Sequence, residues 1–137
     1  MTRVFVDTNV LIDLIADRKP FSKFAIALFN KAGDKKIRLF TSSHSITTTH
    51  YLLKKYIGEK ELRNILYDLL EFVTVVAIDE DVIRKSLRSR HKDFEDAIQI
   101  TCAGSIEKLD CIVTRNIKDL RDCELPVLTP DELAGRI

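Results

Sequence analysis

Two rhythms of apolar and polar positions alternate along the chain. Val4-Phe5-Val6 is a short unbroken apolar run that reads as a buried strand, and Val10, Leu11, Leu14 and Ile15 then recur at helical spacing. Asp7 therefore stands at a strand-to-helix junction. Phe21, Phe24, Ala25, Leu28 and Phe29 fall at i, i+3, i+4, i+7 and i+8, and Leu62, Ile65, Leu66, Leu69 and Leu70 repeat the pattern, which predicts two amphipathic helices. Between them, residues 37–41 predict a strand, with Ser42 or Ser43 capping a helix that reaches about Tyr56. Residues 73–78 are rich in β-branched side chains and predict another strand, followed by a helix capped by Asp79 and carrying Val82, Ile83 and Leu87. From Phe94, the residues Ala97, Ile98, Thr101 and Cys102 keep helical spacing. Residues 111–114 then form a strand that runs into the polar segment 115–119. Val127-Leu128 is a last strand, and Thr129-Pro130-Asp131-Glu132 carries a capping-box signature with proline at the first helical position.

Strands alternating with helices imply βαβ units and a parallel sheet covered on both faces. An apolar content of 45% over 137 residues closes one core of that size, and no linker, repeat or low-complexity tract interrupts the chain, so residues 1–137 read as one domain. No apolar stretch approaches the ~18 residues of a membrane span, and the opening apolar run ends at Asp7. Cys102, Cys111 and Cys123 are odd in number and lack CxxC spacing, which argues against a disulfide framework or a zinc site and suits a cytoplasmic protein. With 22 Lys+Arg against 21 Asp+Glu, bulk charge neither demands nor forbids a polyanion, so such a site must be local.

In open parallel sheets, ligands bind beyond the carboxyl ends of the strands. That rule selects Asp7 and Asn9 after the first strand, Ser43 and Thr48 after the second, and Asn116 and Asp119 after the 111–114 strand. Asp93 and Asp96 join them if their helix starts at the same rim. Two carboxylates about 4 Å apart repel by roughly 4 kcal/mol at an effective dielectric near 20, so such a cluster calls for a cation or a shared proton. Oxygen donors without paired His or Cys favour Mg²⁺ or Mn²⁺ over Zn²⁺, which points to phosphodiester chemistry. Plainer roles exist for several of these residues. Asp93 can simply cap the helix from Phe94, Asn9 can cap the first helix, Asn116 and Asp119 can shape a turn, and Asp13 reads as a solvated helix residue. Asp7 is harder to reduce to structure, because an unpaired charge at a buried strand end is costly. His44, His50 and His91 lack a nucleophile context, and GxSxG, GxGxxG and GxxxxGK[ST] are all absent. Acyl transfer and glycine-loop nucleotide binding drop out. The basic residues Arg88, Arg90 and Lys92 before the acidic turn, with Lys54 at the end of the third helix, are either a solvated face or a strip that holds flanking phosphates.

Val4-Phe5-Val6-Asp7-Thr8-Asn9-Val10-Leu11-Ile12-Asp13, then Asp93-Phe94-Glu95-Asp96-Ala97-Ile98-Gln99 and Val113-Thr114-Arg115-Asn116, resemble in order and spacing the PIN domain family, particularly small bacterial members related to VapC-like toxins. The resemblance implies a three-layer α/β/α sandwich with a mostly parallel sheet and Mg²⁺- or Mn²⁺-dependent cleavage of RNA. It assigns Asp7 and Asp96 to the metal, with Asp93 as an additional acid and Asn116 at a position often Asp or Asn. Thr8, Asn9, Thr114 and Arg115 become supporting residues. It further implies a small protein antitoxin whose basic side chain covers the acidic rim, and homodimerisation, for which the apolar faces of the first helices are either a surface or core.

The family's second acid, usually a Glu, falls on Thr48 within Ile46-Thr47-Thr48-Thr49, where a hydroxyl cannot replace its charge. Three successive β-branched Thr are also poor helix formers, each several tenths of a kcal/mol worse than Ala. Two readings follow: a metal-dependent endoribonuclease, or a degenerate module that binds RNA or a protein without cutting. A receiver-like phosphoacceptor domain ranks below both, because no Lys follows a later strand in the expected way. If Asp7 is a metal ligand, Asp7→Asn is expected to keep or raise metal-free stability by removing a like-charge clash.

Overall fold

The computed structural model describes residues 1–137. Five strands, β1 (Thr2–Val6), β2 (Ile37–Ser42), β3 (Val73–Val76), β4 (Cys111–Val113) and β5 (Val127–Leu128), form one sheet in the order β3-β2-β1-β4-β5, and every pairing is parallel. Eight helices connect them: α1 (Thr8–Ile15), α2 (Ser22–Gly33), α3 (Ser43–Leu53), α4 (Glu59–Leu69), α5 (Glu80–Leu87), α6 (Phe94–Gly104), α7 (Ile117–Leu120) and α8 (Pro130–Ala134).

Because strand side chains alternate between faces, β1 feeds two cores at once. Val4 and Val6 pack with Leu39 and Val113 against Val10 and Leu11 of α1 and Leu28 of α2. Phe5 points the other way and packs with Phe40 and Ile112 against Cys102 of α6 and Leu120 of α7. A satellite cluster of Ile12, Leu53 and Leu62 ties α1 to α3 and α4. The result is the expected α/β/α sandwich, with a sheet that is wholly parallel. Strand order reverses between β1 and β4, so the crevice predicted for ligands opens over the carboxyl ends of these two strands.

Local signals place the helix starts. Asp79 accepts from the Val82 amide at 3.0 Å, and Thr129 and Glu132 form the full capping box. Of the two cap candidates for α3, Ser42 fills the role, accepting from the Ser45 amide at 3.0 Å. Several boundaries differ from the sequence reading. The third helix ends at Leu53 rather than near Tyr56, β3 stops at Val76, and the polar segment 115–119 contains the start of α7. Ile83 and Leu87 face solvent, since α5 buries only a narrow stripe around Val82 and Ser86. Val10 and Leu11 of α1 and Ala25, Leu28 and Phe29 of α2 are core, whereas Phe21 and Ile26 stay exposed. Burial pushes the Cys102 and Cys111 thiols up to about 11, which makes them packing residues. No helix is long and apolar enough to cross a membrane.

Candidate active site

At the switch point, Asp7 is the N-cap of α1 and the centre of a hydrogen-bond network. Its Oδ1 accepts from the Thr8 amide and from Gln99 Nε2, both at 2.9 Å. Its Oδ2 accepts from Thr114 Oγ1 at 2.8 Å and, more loosely, from Asn9 Nδ2 at 3.4 Å. Asn9 gives its shorter bond to Thr114 Oγ1 at 3.0 Å, and its own Oδ1 accepts from the Arg115 amide at 3.2 Å. Donors from α6 and from the residue after β4 thus converge on a carboxylate just beyond β1, and only packing of the whole sheet brings them together.

A second tier fixes Gln99, which is buried and uses both of its amide N–H groups. Its Nε2 also donates to Ser45 Oγ at 2.8 Å, while its Oε1 accepts from Ser42 Oγ at 2.6 Å. Thr8 Oγ1 completes the tier by donating to Ser45 Oγ at 2.9 Å. No buried side-chain polar atom in the protein lacks a partner. Gln99, Ser45 and Ser42 join the candidate site through this network, and the sequence pattern did not single them out for it. The signal for Gln99 was an uncharged polar residue on the apolar stripe of its helix. Gln99→Leu is expected to cost about 1–3 kcal/mol in urea unfolding, because it strips a partner from the buried Ser42 and Ser45 hydroxyls and from the half-buried Asp7 carboxylate. The same change should lower turnover by roughly 10–100-fold by freeing the Asp7 carboxylate.

The open side of Asp7 faces a cleft of about 240 Å³ that also exposes Asp96, Glu95, His44, Thr48 and Asn116. Burial pushes the Asp96 carboxyl up to about 6, and the charges of Asp93, Asp119, Asp7 and Glu95 push in the same direction. Asp96 thus sits in an excess of negative charge. Asp93 is the N-cap of α6, its Oδ2 accepting from the Asp96 amide at 3.0 Å, and it faces a neighbouring groove with Asp119, Lys92 and Lys118 rather than the Asp7 cleft.

Other candidates separate in the same way. Ser43 is drawn off to accept from the Ile78 amide at 3.0 Å, so it leaves the acidic cleft. Arg90 lines the neighbouring groove but is bound to Asp122 at 3.0 and 3.3 Å, whereas Arg88 and Lys54 line neither opening, Lys54 lying over the Tyr51 ring at 4.8 Å. Asp13, expected in solvent, is 1% exposed and holds Arg115 through Nε at 2.6 Å and a second guanidinium nitrogen at 3.2 Å. The helical pattern could not reveal this, since its partner lies 102 residues away. The threonine run also finds a use: Thr47 and Thr49 return their hydroxyls to the carbonyls of His44 and Ser45, and Thr48 meets the His44 imidazole at 3.4 Å.

No three His, Cys, Asp or Glu side chains stand close enough to enclose a metal ion alone. The donors nevertheless fit a hydrated Mg²⁺ or Mn²⁺, which ordinarily keeps several waters and takes only one or two carboxylates from the protein. Asp7 and Asp96, which line the same cleft, are the carboxylates placed to serve such an ion. The long Asn9 contact leaves one lone pair of Asp7 weakly engaged, and the negative charge around Asp96 is what a divalent ion neutralises.

A wholly parallel sandwich with an oxygen-donor cleft over its switch point defines an α/β protein with its chemistry at the strand ends. The PIN domain model matches residues 3–118, and the chain belongs to the PIN domain family. It is similar to Ribonuclease VapC1 of Aquifex aeolicus (strain VF5), 28% identical over 140 residues, covering 98% of this chain and 94% of that protein. Among solved structures, a chain of a toxin-antitoxin complex from Klebsiella pneumoniae superposes with a TM-score of 0.65 at 27% identity, covering 93% of this chain and 97% of the other. VapBC2 from Rickettsia felis, bound to a DNA fragment from its promoter, shares the fold with a TM-score of 0.68 at 16% identity, covering 93% and 97%.

Proposed function

We propose that this chain, acting as one PIN unit over residues 1–137, is an endoribonuclease dependent on Mg²⁺ or Mn²⁺ and the toxin of a toxin-antitoxin pair. The observation that carries the reading is the convergence of Asp7 and Asp96 on one cleft at the switch point, in a family whose similar members include a ribonuclease. Asp7, Asp96 and Asn116 would hold the ion, which when bound supplies a water of lowered pKa and neutralises charge on the phosphate oxygens. The chain's own contribution is orientation. Gln99, Thr8 and Thr114 hold the Asp7 carboxylate in one rotamer, so no reorganisation is needed when substrate arrives. Lys92 and Lys118 line the adjoining groove and offer charge to a phosphate one step along the RNA backbone. The partner is a small antitoxin, since a similar chain comes from a toxin-antitoxin complex and the negative cleft suits a basic side chain of a neighbour. Three free thiols fit the reducing cytoplasm in which RNA is met.

The test is cleavage of structured RNA by purified protein in EDTA, Mg²⁺ and Mn²⁺, with Thr48→Glu alongside wild type. Thr48 lines the cleft, so a carboxylate there is expected to raise Mn²⁺-dependent cleavage severalfold and to lower metal-free stability by adding to the charge around Asp96. Metal-independent RNA binding by both forms, with no cleavage in any metal, would replace the nuclease with a binding module.

A further inference from the structure

Phe21 and Phe24 obey the helical pattern of the core yet belong to none of the three apolar clusters. Phe21 lies outside α2 as its cap residue and is 38% exposed, and Phe24 is half-buried. Both line a cleft of about 400 Å³ whose other walls include Pro20, Pro130 and Arg115. Each ring carries a cation on its face: the Arg115 guanidinium lies 4.1 Å from the Phe21 centroid, and Lys23 Nζ lies 4.9 Å from that of Phe24. Arg18, Lys19 and Lys23 stand exposed around the same turn, and none of the three enters an ion pair. The stretch Arg18-Lys19-Pro20-Phe21-Ser22-Lys23-Phe24 is thus a basic segment interleaved with aromatic rings, of which Pro20, Phe21 and Phe24 line the cleft together with Pro130 and Asp131.

We infer that this cleft takes one unpaired nucleobase of a single-stranded RNA, with the adjoining phosphates on Arg18, Lys19 and Lys23. The inference deepens the nuclease reading and rests on it for the identity of the polyanion. Arg115 is the physical link between the two openings. Its backbone amide donates to Asn9 at 3.2 Å beside Asp7, the next residue, Asn116, lines the acidic cleft, and its side chain lines the aromatic one. Asp13 locks that guanidinium in place, so the stacking surface is preformed. A base stacked on a ring gains irrespective of its identity, and unpaired cations draw the strand in. A duplex keeps its base faces stacked inside and gains nothing from the rings.

The experiment uses the whole chain in EDTA, so that no cleavage occurs, and a short single-stranded RNA containing 2-aminopurine, whose fluorescence falls on stacking. The double variant Phe21→Leu, Phe24→Leu keeps apolar bulk and removes both π-faces. It is expected to weaken binding by about 5- to 100-fold and to abolish the quench, while Phe21→Tyr with Phe24→Tyr keeps both. Lys23→Gln should flatten the dependence of log affinity on log salt by about one unit. With Mn²⁺ present, the leucine pair should raise KM far more than it lowers kcat. Wild-type affinity and quench in the leucine pair, equal competition by duplex RNA, or no RNA binding by wild type would each overturn the inference, the last leaving the cleft to a protein partner. The two readings separate cleanly: a leucine pair that cuts with unchanged KM ends the base site alone, whereas ring-dependent binding without cleavage in any metal ends the nuclease alone.

Discussion

Asp96→Asn is expected to reduce Mg²⁺- or Mn²⁺-dependent RNA cleavage by roughly 100-fold or more while raising the melting temperature in EDTA at pH 7. The first effect follows because outer partners of a metal ligand already cost 10–100-fold when removed, and a carboxylate that holds the ion costs at least the upper end of that range, about 100-fold. The second follows from charge. The Asp96 carboxyl is pushed up to about 6 by burial and by four neighbouring acids. The folded state therefore holds its proton more tightly than the unfolded state, so this group's contribution to metal-free stability is fully present below about pH 4 and is lost as pH rises through about 6. Because the side chain is only partly buried, the loss at neutral pH is discounted to about 1 kcal/mol rather than the full linkage value. The asparagine variant should remove that slope from a plot of unfolding free energy against pH. Adding Mn²⁺ should then stabilise wild type and leave the variant unchanged. A variant that cuts like wild type would remove Asp96 from the site.

Asp7→Asn is a useful contrast and corrects the expectation drawn from sequence. All four groups around the Asp7 carboxylate are donors, so an amide would turn its own N–H toward one of them. That variant should lose activity and about 1–3 kcal/mol of stability together, which makes it the poorer test of a metal role. Asp7 is held by hydrogen bonds, Asp96 by little more than its position on α6, and the opposite signs of their stability changes report that difference.

Arg115→Met is expected to destabilise the protein by about 3–5 kcal/mol, the largest effect of any single change described, because it leaves the nearly inaccessible Asp13 charge without a partner. In a domain of this length that corresponds to a fall in Tm of roughly 10–20 °C. The double variant Asp13→Leu, Arg115→Met should recover most of the loss, since two apolar side chains of similar volume fill the space without a charge to solvate. Thermal unfolding of the two variants side by side checks both statements. A single variant within about 0.5 kcal/mol of wild type would mean that water reaches Asp13. The pair also bears on function, because the same guanidinium lines the aromatic cleft over Phe21, and the double variant should lose affinity for single-stranded RNA even where its stability returns.

Much of the architecture is readable from periodicity. A run of three apolar residues ending in Asp7, or five apolar positions at helical spacing, constrains local structure because burial on one face is the only way to remove those side chains from water. Caps at Asp79, Asp93 and Thr129 follow from side-chain oxygens that satisfy free amides within three residues. Alternation of strand and helix implies a parallel sheet, and a parallel sheet implies chemistry at its carboxyl rim. Those steps need only neighbours in sequence, which is why they placed Asp7 and the segment after β4 at the site.

The partners of these residues lay beyond that reach. Gln99 reaches Asp7 across 92 positions and Arg115 reaches Asp13 across 102, and no local pattern encodes which polar side chain will meet which. The helical rhythm gave Phe21 and Phe24 to the core, because it measures spacing and not the place where a helix begins. Sequence alone determined the order of strands and helices and most of the faces that avoid water, since the hydrophobic effect acts on local spacing. The tertiary structure decided which charges are paired, which acid is left in a like-charged field and which aromatic rings stay uncovered, because those depend on distances set only when all five strands are in register.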